Sequence, residues 1–327
     1  MADLLHIGRS LPALDPAKLP GKGRPDWVQC DEAFIERALT RAKAREGGGW
    51  VVVDASRQIT DKPRRYDLAG DEWVAWRAHG EVVFAPNACP HMGAELCDGH
   101  VKDGKVVCPW HGLALGARGH GDWKPVKTHD DGVLVWAQLL AHETPTERPV
   151  IPARPAPGQA LDAVVRMEAR CEPEDIVANR LDPWHGAHYH PHSFGSLTMI
   201  DVDEDLLTLR VAYKVVGRVA VEVDCTFHAP TRRSIVMTIT DGDGVGSVVE
   251  THGSPIRSGE SALIEATIAT SDRPGFEWAL RLAPFIRPFM EARARRLWVE
   301  DVAYAERRYH LRTSRQPLRM LTSQSAR

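Results

Sequence analysis

Four residues constrain this chain more than any others. Cys89 and His91 stand one residue apart, and Cys108 and His111 two apart, within "CPHMGAELCDGHVKDGKVVCPWHG" at 89–112. Gly93, Gly99, Gly104 and Gly112 allow both segments to turn tightly. Two loops that each present a thiol and an imidazole must fold around something small that takes both ligand types. The other cysteines do not cluster in this way: Cys30, Cys171 and Cys225 are scattered and read as small buried hydrophobes. The N-terminus "MADLLHIGRS" shows no basic region followed by an apolar core, and the longest apolar runs fall short of a membrane span. The expectation is therefore a cytoplasmic chain, where clustered thiols mean metal rather than disulfides. A net charge of −3 gives no signature for nucleic acid.

Structural zinc sites usually pair like ligands, as C-x2-C or H-x3-H. Here each loop gives one Cys and one His, as C-x-H and C-x2-H. A diiron cluster with thiolates on one iron and imidazoles on the other needs that arrangement. At these residues the chain resembles the Rieske [2Fe–2S] domain, with zinc or a cofactor-free β domain as the alternatives. The resemblance implies that Cys89 and Cys108 bind one iron and His91 and His111 the other. Respiratory Rieske proteins add a disulfide between the loops. The corresponding positions here are Ala94 and Trp110, and Cys97 is in neither place. The likeness is thus to the oxygenase and soluble-ferredoxin branches.

Residues 1–48 bear prolines and charges, with one candidate amphipathic helix at "DEAFIERALTRAKA", and read as an N-terminal extension. From 49 to 141 short apolar runs broken by Gly, Asp and Asn predict a small all-β domain. Residues 142–159 contain five prolines within "ETPTERPVIPARPAPGQ" and read as a linker. Beyond it, 160–327 predicts an α+β domain. A helical stretch covers 172–190, strands include "LLTLRVAYKVV", "VAVEVDCTF", "RSIVMTIT" and "SALIEATIAT", and a long helix runs from about Phe276 to Arg308.

A soluble ferredoxin would stop near residue 141, yet "NRLDPWHGAHYHPHSF" follows at 179–194. Its His185, His188, His190 and His192 read most simply as a surface cluster. However, Asn179, Asp182, His185 and His190 form N-x2-D-x2-H-x4-H. This resembles the mononuclear-iron motif of the Rieske non-heme iron oxygenases. Such a site needs two neutral imidazoles and one carboxylate on one face of Fe(II). His185 and His190 are five apart and cannot share a regular helical face; His188 and His192 are the rivals. In the last helix Met290, Ala294, Leu297, Asp301 and Tyr304 form one apolar stripe. An aspartate in that stripe faces the core, where a metal, or alternatively Arg308, would offset its burial. Glu300 shares its side with Arg293, Arg296 and Arg307 and reads as a solvated face.

The family resemblance implies a terminal oxygenase with a helix-grip-like antiparallel sheet. Its cofactors would be the Rieske cluster and a mononuclear Fe(II) held by His185, His190 and Asp301. It also implies a homotrimer in which Asp182 bridges a cluster histidine of one subunit to an iron-ligand histidine of the next, a helix cap being the alternative role. Many members place Glu before the motif's Asn; here it is Ala178. No dinucleotide fingerprint or second ferredoxin-type cysteine cluster is visible, so NAD(P)H electrons would arrive through a separate reductase and a ferredoxin. The substrates expected are O2 and a small, largely apolar organic molecule. Hydroxylation, demethylation and desaturation are all open, and Arg210, Arg218 and Arg233 are candidate carboxylate clamps. The alternative class is an electron carrier with a non-catalytic binding domain.

Overall fold

The structure, a computed structural model, describes residues 4–19 and 32–314. Cys30 lies outside them. Strand β1 (Leu5–Ile7) and helix α1 (Glu32–Lys43) come first. Helix α1 buries Phe34, Ile35, Ala38, Leu39 and Ala42, an i, i+3, i+4 stripe, in one core with Val177, Leu181 and Phe227. Fully burying side chains of this size gives roughly 1.5–3 kcal/mol each for the larger ones. Helix α1 is therefore part of the second domain's core, as β1 is part of its sheet.

The all-β unit holds nine strands: β2 (Trp50–Ala55), β3 (Arg64–Leu68), β4 (Asp71–Ala78), β5 (Glu81–Pro86), β6 (His100–Lys102), β7 (Lys105–Val107), β8 (Ala114–Leu115), β9 (Thr128–Asp130) and β10 (Leu134–Gln138). They pair as three small antiparallel sheets, β2-β10-β9, β3-β4-β5 and β6-β7-β8. The cysteine–histidine loops follow β5 and join β7 to β8.

In the second unit come β11 (Leu161–Ala169), α2 (Pro173–Arg180), α3 (His185–Tyr189), β12 (Phe194–Asp203), β13 (Leu206–Val216), β14 (Val219–Thr231), β15 (Ser234–Gly242), β16 (Val248–Arg257), β17 (Glu260–Ala269), α4 (Phe276–Arg281) and α5 (Ala283–Thr313). The sheet runs β11-β17-β16-β15-β14-β13-β12, with β1 joining β14 in parallel. Strand β14 alternates buried and half-buried residues, whereas β16 and β17 are buried almost throughout: α2 and α5 pack on the sheet, and Ile256, Ala262, Ile264, Ala266 and Ile268 share a core with the all-β unit.

Two sequence expectations are corrected here. The helical stretch 172–190 is two helices, because "LDPWHG" places Pro183 between them. The closing helix is broken at Leu282, where Pro284 has no N–H to donate to the carbonyl four residues earlier, and it continues past Arg308 to Thr313. Strands β11, β12 and β16 complete the sheet although their apolar periodicity is weak.

Candidate metal centres

The two cluster loops share one backbone design. Cys89 donates its N–H to Ala94 O (2.9 Å) and Gly93 returns one to Cys89 O (2.8 Å). In the other loop Cys108 N bonds Leu113 O (2.9 Å) and Gly112 N bonds Cys108 O (3.0 Å). Each loop closes on a glycine four residues past its cysteine, at φ +78° for Gly93 and +74° for Gly112. Only glycine takes that conformation without strain. Both cysteines are 3% exposed, whereas His91 and His111 lie on the surface with ring centroids 4.8 Å apart. Burial raises the pKa of Cys89. Burial acts the same way on Cys108, but the backbone N–H groups of Trp110 and His111 aim at its sulfur and bring it below the usual value. Thiols inside, imidazoles outside and amides on the sulfurs suit a cluster whose histidine end meets the surface.

The second group is buried beneath α5. Asp301 is 0% exposed, and His185 Nε2 and His190 Nε2 reach its Oδ1 at 3.0 and 2.8 Å. One ligand atom from each of the three residues lies within 4.8 Å of the others. The five-residue spacing is accommodated because His185 opens the single turn of α3, while His190 leaves it at φ −119°, ψ 53°. Asn179 Nδ2 donates to the same Asp301 oxygen at 3.1 Å. Asp301 Oδ2 is buried with no partner among the described residues.

The outer ring nitrogens are occupied. His185 Nδ1 donates to the carbonyl of Asp182, and His190 Nδ1 donates to Glu300 Oε2 at 2.5 Å. With Nδ1 so engaged, each Nε2 is turned toward the shared centre, the usual arrangement of metal-binding imidazoles. Glu300, expected on a solvated face, is instead the hydrogen-bond partner of a candidate ligand. Burial would raise the pKa of Asp301, yet the hydrogen bonds from both histidines and the charge of Arg180 hold it well below the carboxylate range. Burial opposes charge on His185, but Asp182 and Asp301 push its pKa up to about 9. A site that gathers protons against a carboxylate is one where a divalent cation can replace them.

The remaining sequence candidates fall elsewhere. His188 is exposed, and His192 stands 3.9 Å from Glu300 outside the triad. Arg308 pairs with Asp175 and Glu36 rather than Asp301. Asp182 is buried; its Oδ2 accepts from the Tyr304 hydroxyl at 3.3 Å and its Oδ1 has no partner among the described residues.

A cavity of about 290 Å3 adjoins the triad, near the lower end of ligand-site sizes. Alternate residues of successive strands line it, Val211 and Tyr213, Ile235 and Met237, Val249 and Thr251, Glu265 and Thr267. Met290, Ala294 and Leu297 of α5 form the opposite wall. Arg210 and Arg233 do not line it, for Arg210 is held by Asp224 and Arg233 by Glu143; Arg218 does not line it either. Arg180 and Arg293 do.

A nine-strand domain presenting two Cys–His loops, followed by an antiparallel sheet over a buried His–His–Asp group, is the build of the Rieske non-heme iron terminal oxygenases. The chain belongs to the family described as a domain of unknown function (DUF5914), which matches residues 140–316, joined to a Rieske [2Fe-2S] domain at 49–137. Aminopyrrolnitrin oxygenase PrnD of Pseudomonas fluorescens is 38% identical over 88 residues, 26% of this chain and 24% of that one. The oxygenase subunit of vanillate O-demethylase from Pseudomonas sp. (strain HR199 / DSM 7063) is 38% identical over 71 residues, 21% of this chain and 20% of that one. The matched stretch thus spans about a quarter or less of these two relatives. Dicamba monooxygenase bound to dicamba shares the fold, with a TM-score of 0.61 at 16% identity over 81% of this chain and 88% of that one.

Proposed function

We propose that this protein is the oxygenase component of a multicomponent system that oxidises a small, largely apolar organic molecule with O2. In this reading Cys89, His91, Cys108 and His111 hold the Rieske cluster, and His185, His190 and Asp301 hold Fe(II). The observation that carries it is the convergence of both Nε2 atoms on the buried Asp301 carboxylate, beside an apolar cavity, in a chain with a Rieske domain. Two imidazoles and one carboxylate are the donor set of oxygen-activating non-heme iron. Bound there, the cluster would supply electrons one at a time and the Fe(II) a site for O2 activation.

The chain's own residues orient, hold and exclude. Glu300 and the Asp182 carbonyl fix the imidazole tautomers, and Asn179 holds the Asp301 carboxylate. The apolar walls keep water from the reacting group. The free Oδ1 of Asp182 supports the bridging role, since a buried carboxylate oxygen calls for a donor, and a cluster histidine of a neighbouring subunit in a trimer would supply one. Electrons would come from NAD(P)H through a separate reductase and a ferredoxin, docking near the exposed His91–His111 end. No helix among the described residues is long and apolar enough to cross a membrane; the reading places the protein in the cytoplasm.

The test is iron and acid-labile sulfide per chain on anaerobically purified protein, with EPR of the dithionite-reduced sample. About three irons and two sulfides, a Rieske-type signal, and loss of one iron in His185→Ala are expected. Two irons and two sulfides, unchanged after Fe(II) addition and indifferent to His185→Ala, would leave an electron carrier instead.

A further inference from the structure

The cavity is largely apolar, and among its lining residues Glu265 is the one acid, beside the two cations Arg180 and Arg293. Glu265 is 4% exposed and lines the cavity from β17. Two protein donors reach its carboxylate, and both go to Oε2: the Arg180 guanidinium and Trp298 Nε1, the latter at 2.7 Å. Among the described residues no hydrogen bond reaches Oε1. Arg180 is itself pinned, stacked over the Trp298 ring with its guanidinium carbon 4.6 Å from the ring centroid. Thr251 is the register partner of Glu265 across β16 and β17 and lines the same wall. Tyr213 lines the cavity from β13 with no hydrogen bond on its hydroxyl among the described residues. Burial, reinforced by Cys225 and Glu265 against the charge of Arg180, keeps that phenol protonated.

Oε1 is open to the cavity, and an acceptor left without a donor once a ligand displaces water from it costs about as much as a lost hydrogen bond. Val211, Ile235, Met237, Val249 and Leu297 form much of the lining, so a substrate that fills the cavity displaces water from the wall. A ligand that fills the apolar volume and leaves Oε1 without a donor forfeits that bond. A ligand with a hydroxyl or N–H at the matching edge restores it. The position suits orientation as well, since Trp298, which holds Glu265, lies one turn of α5 before Asp301.

We propose that Glu265, braced by Arg180 and Trp298, is the specificity anchor of the cavity, and that the substrate is an apolar molecule carrying a neutral hydrogen-bond donor, a hydroxyl or N–H, received by Glu265 Oε1. The inference rests on the reading of this cavity as the substrate site. It excludes plain hydrocarbons as preferred substrates.

The test compares three probes of one scaffold, 2-naphthol, 2-methoxynaphthalene and naphthalene, by anaerobic equilibrium dialysis against the full-length, iron-loaded protein. 2-Naphthol is expected to bind about tenfold or more tighter than naphthalene, with 2-methoxynaphthalene, which accepts but cannot donate, no better than naphthalene. In Glu265→Gln the amide oxygen faces Arg180 and Trp298, and its NH2 faces the cavity. The preference then passes from 2-naphthol to 2-methoxynaphthalene. Equal binding of all three probes overturns the anchor. So does 2-methoxynaphthalene matching 2-naphthol, which assigns the contact to the Tyr213 hydroxyl as donor. Binding of none overturns both the anchor and the cavity as substrate site. Should Glu265→Gln fail to fold, the three wild-type affinities decide alone. Iron is counted on the same samples: a missing third iron sinks the oxygenase reading while leaving the probe comparison intact.

Discussion

Glu300 and Asp301 are neighbours in the chain with different tasks. Asp301 points into the triad and Glu300 reaches around to His190 Nδ1. Sequence pattern located Asp301, because an acid inside an apolar stripe is costly and conspicuous. Glu300 gave the opposite signal, since three arginines at helical spacing make a solvated face the simplest account. Arg293 in fact turns elsewhere, donating to the carbonyls of Lys214 and Val215, and Glu300 bonds the histidine. A Glu300→Gln variant is expected to keep its Rieske EPR signal but bind Fe(II) roughly 10–100-fold more weakly, as replacing such supporting partners commonly does. Titration of the apo mononuclear site with Fe(II) or Co(II) reads this directly. Unchanged affinity would mean that the contact does not orient His190.

At the scale of elements, the triad depends on how α2 is held. Asp175 is fully buried in its first turn and accepts from Arg308 Nη1 (2.5 Å), Arg312 Nε (2.9 Å) and Arg312 Nη2 (2.7 Å) of α5. That clamp sets α2, which carries Asn179, against α5, which carries Asp301. Asp175→Ala removes the carboxylate the two arginines share, though Arg308 keeps Glu36 and Arg312 keeps Glu174, and is expected to cost about 2 kcal/mol. Urea unfolding checks the stability, and metal analysis should show the mononuclear iron falling while the sulfide count holds. The cluster loops carry their own element-scale prediction. No atom would obstruct a Cβ at Gly93 or Gly112, so substitution meets backbone strain alone. Gly93→Ala and Gly112→Ala should each cost about 1–2 kcal/mol and speed cluster loss in air, followed by visible absorbance. The weak strands were hard to read for a related reason. Strand β16, "VVETHGSPIR", buries Glu250, His252 and Ser254, whose polarity hides a strand whose core face is satisfied by hydrogen bonds.

At the scale of the whole molecule, one carboxylate ties the all-β unit and the N-terminal extension to the large sheet. Glu143 Oε2 accepts from the backbone N–H of Gly47 and Gly49 at 3.0 Å each, and Arg233 from the β14–β15 turn grips both oxygens. Burial would raise its pKa, but Arg233 and the two amides hold it at about 2, below the ordinary 4.5. A depressed carboxylate contributes stability that is complete above its unfolded pKa and is lost as pH falls through the folded one. Glu143 should therefore contribute on the order of 2 kcal/mol at neutral pH, fading between about pH 4.5 and 2. Denaturation midpoints across that range should fall more steeply for the wild type than for Glu143→Gln, which lacks the titrating group. Parallel pH profiles would show that the clamp does not couple to folding.

The sequence by itself determined the features whose partners are close along the chain or whose chemistry is costly in isolation. The paired Cys–His loops with their glycines, the His–x4–His segment flanked by prolines, and the acid in an apolar helix were each legible because few other uses account for them. Tertiary structure alone decided what depends on residues far apart. It set Glu300 on His190 across 110 positions, Glu265 on Trp298 across 33, and helix α1 in the core of the second domain. A side chain's partner is chosen by which surfaces meet when the sheet and helices pack. Local periodicity records only which face is apolar, so it reveals where a residue points but not what it will touch.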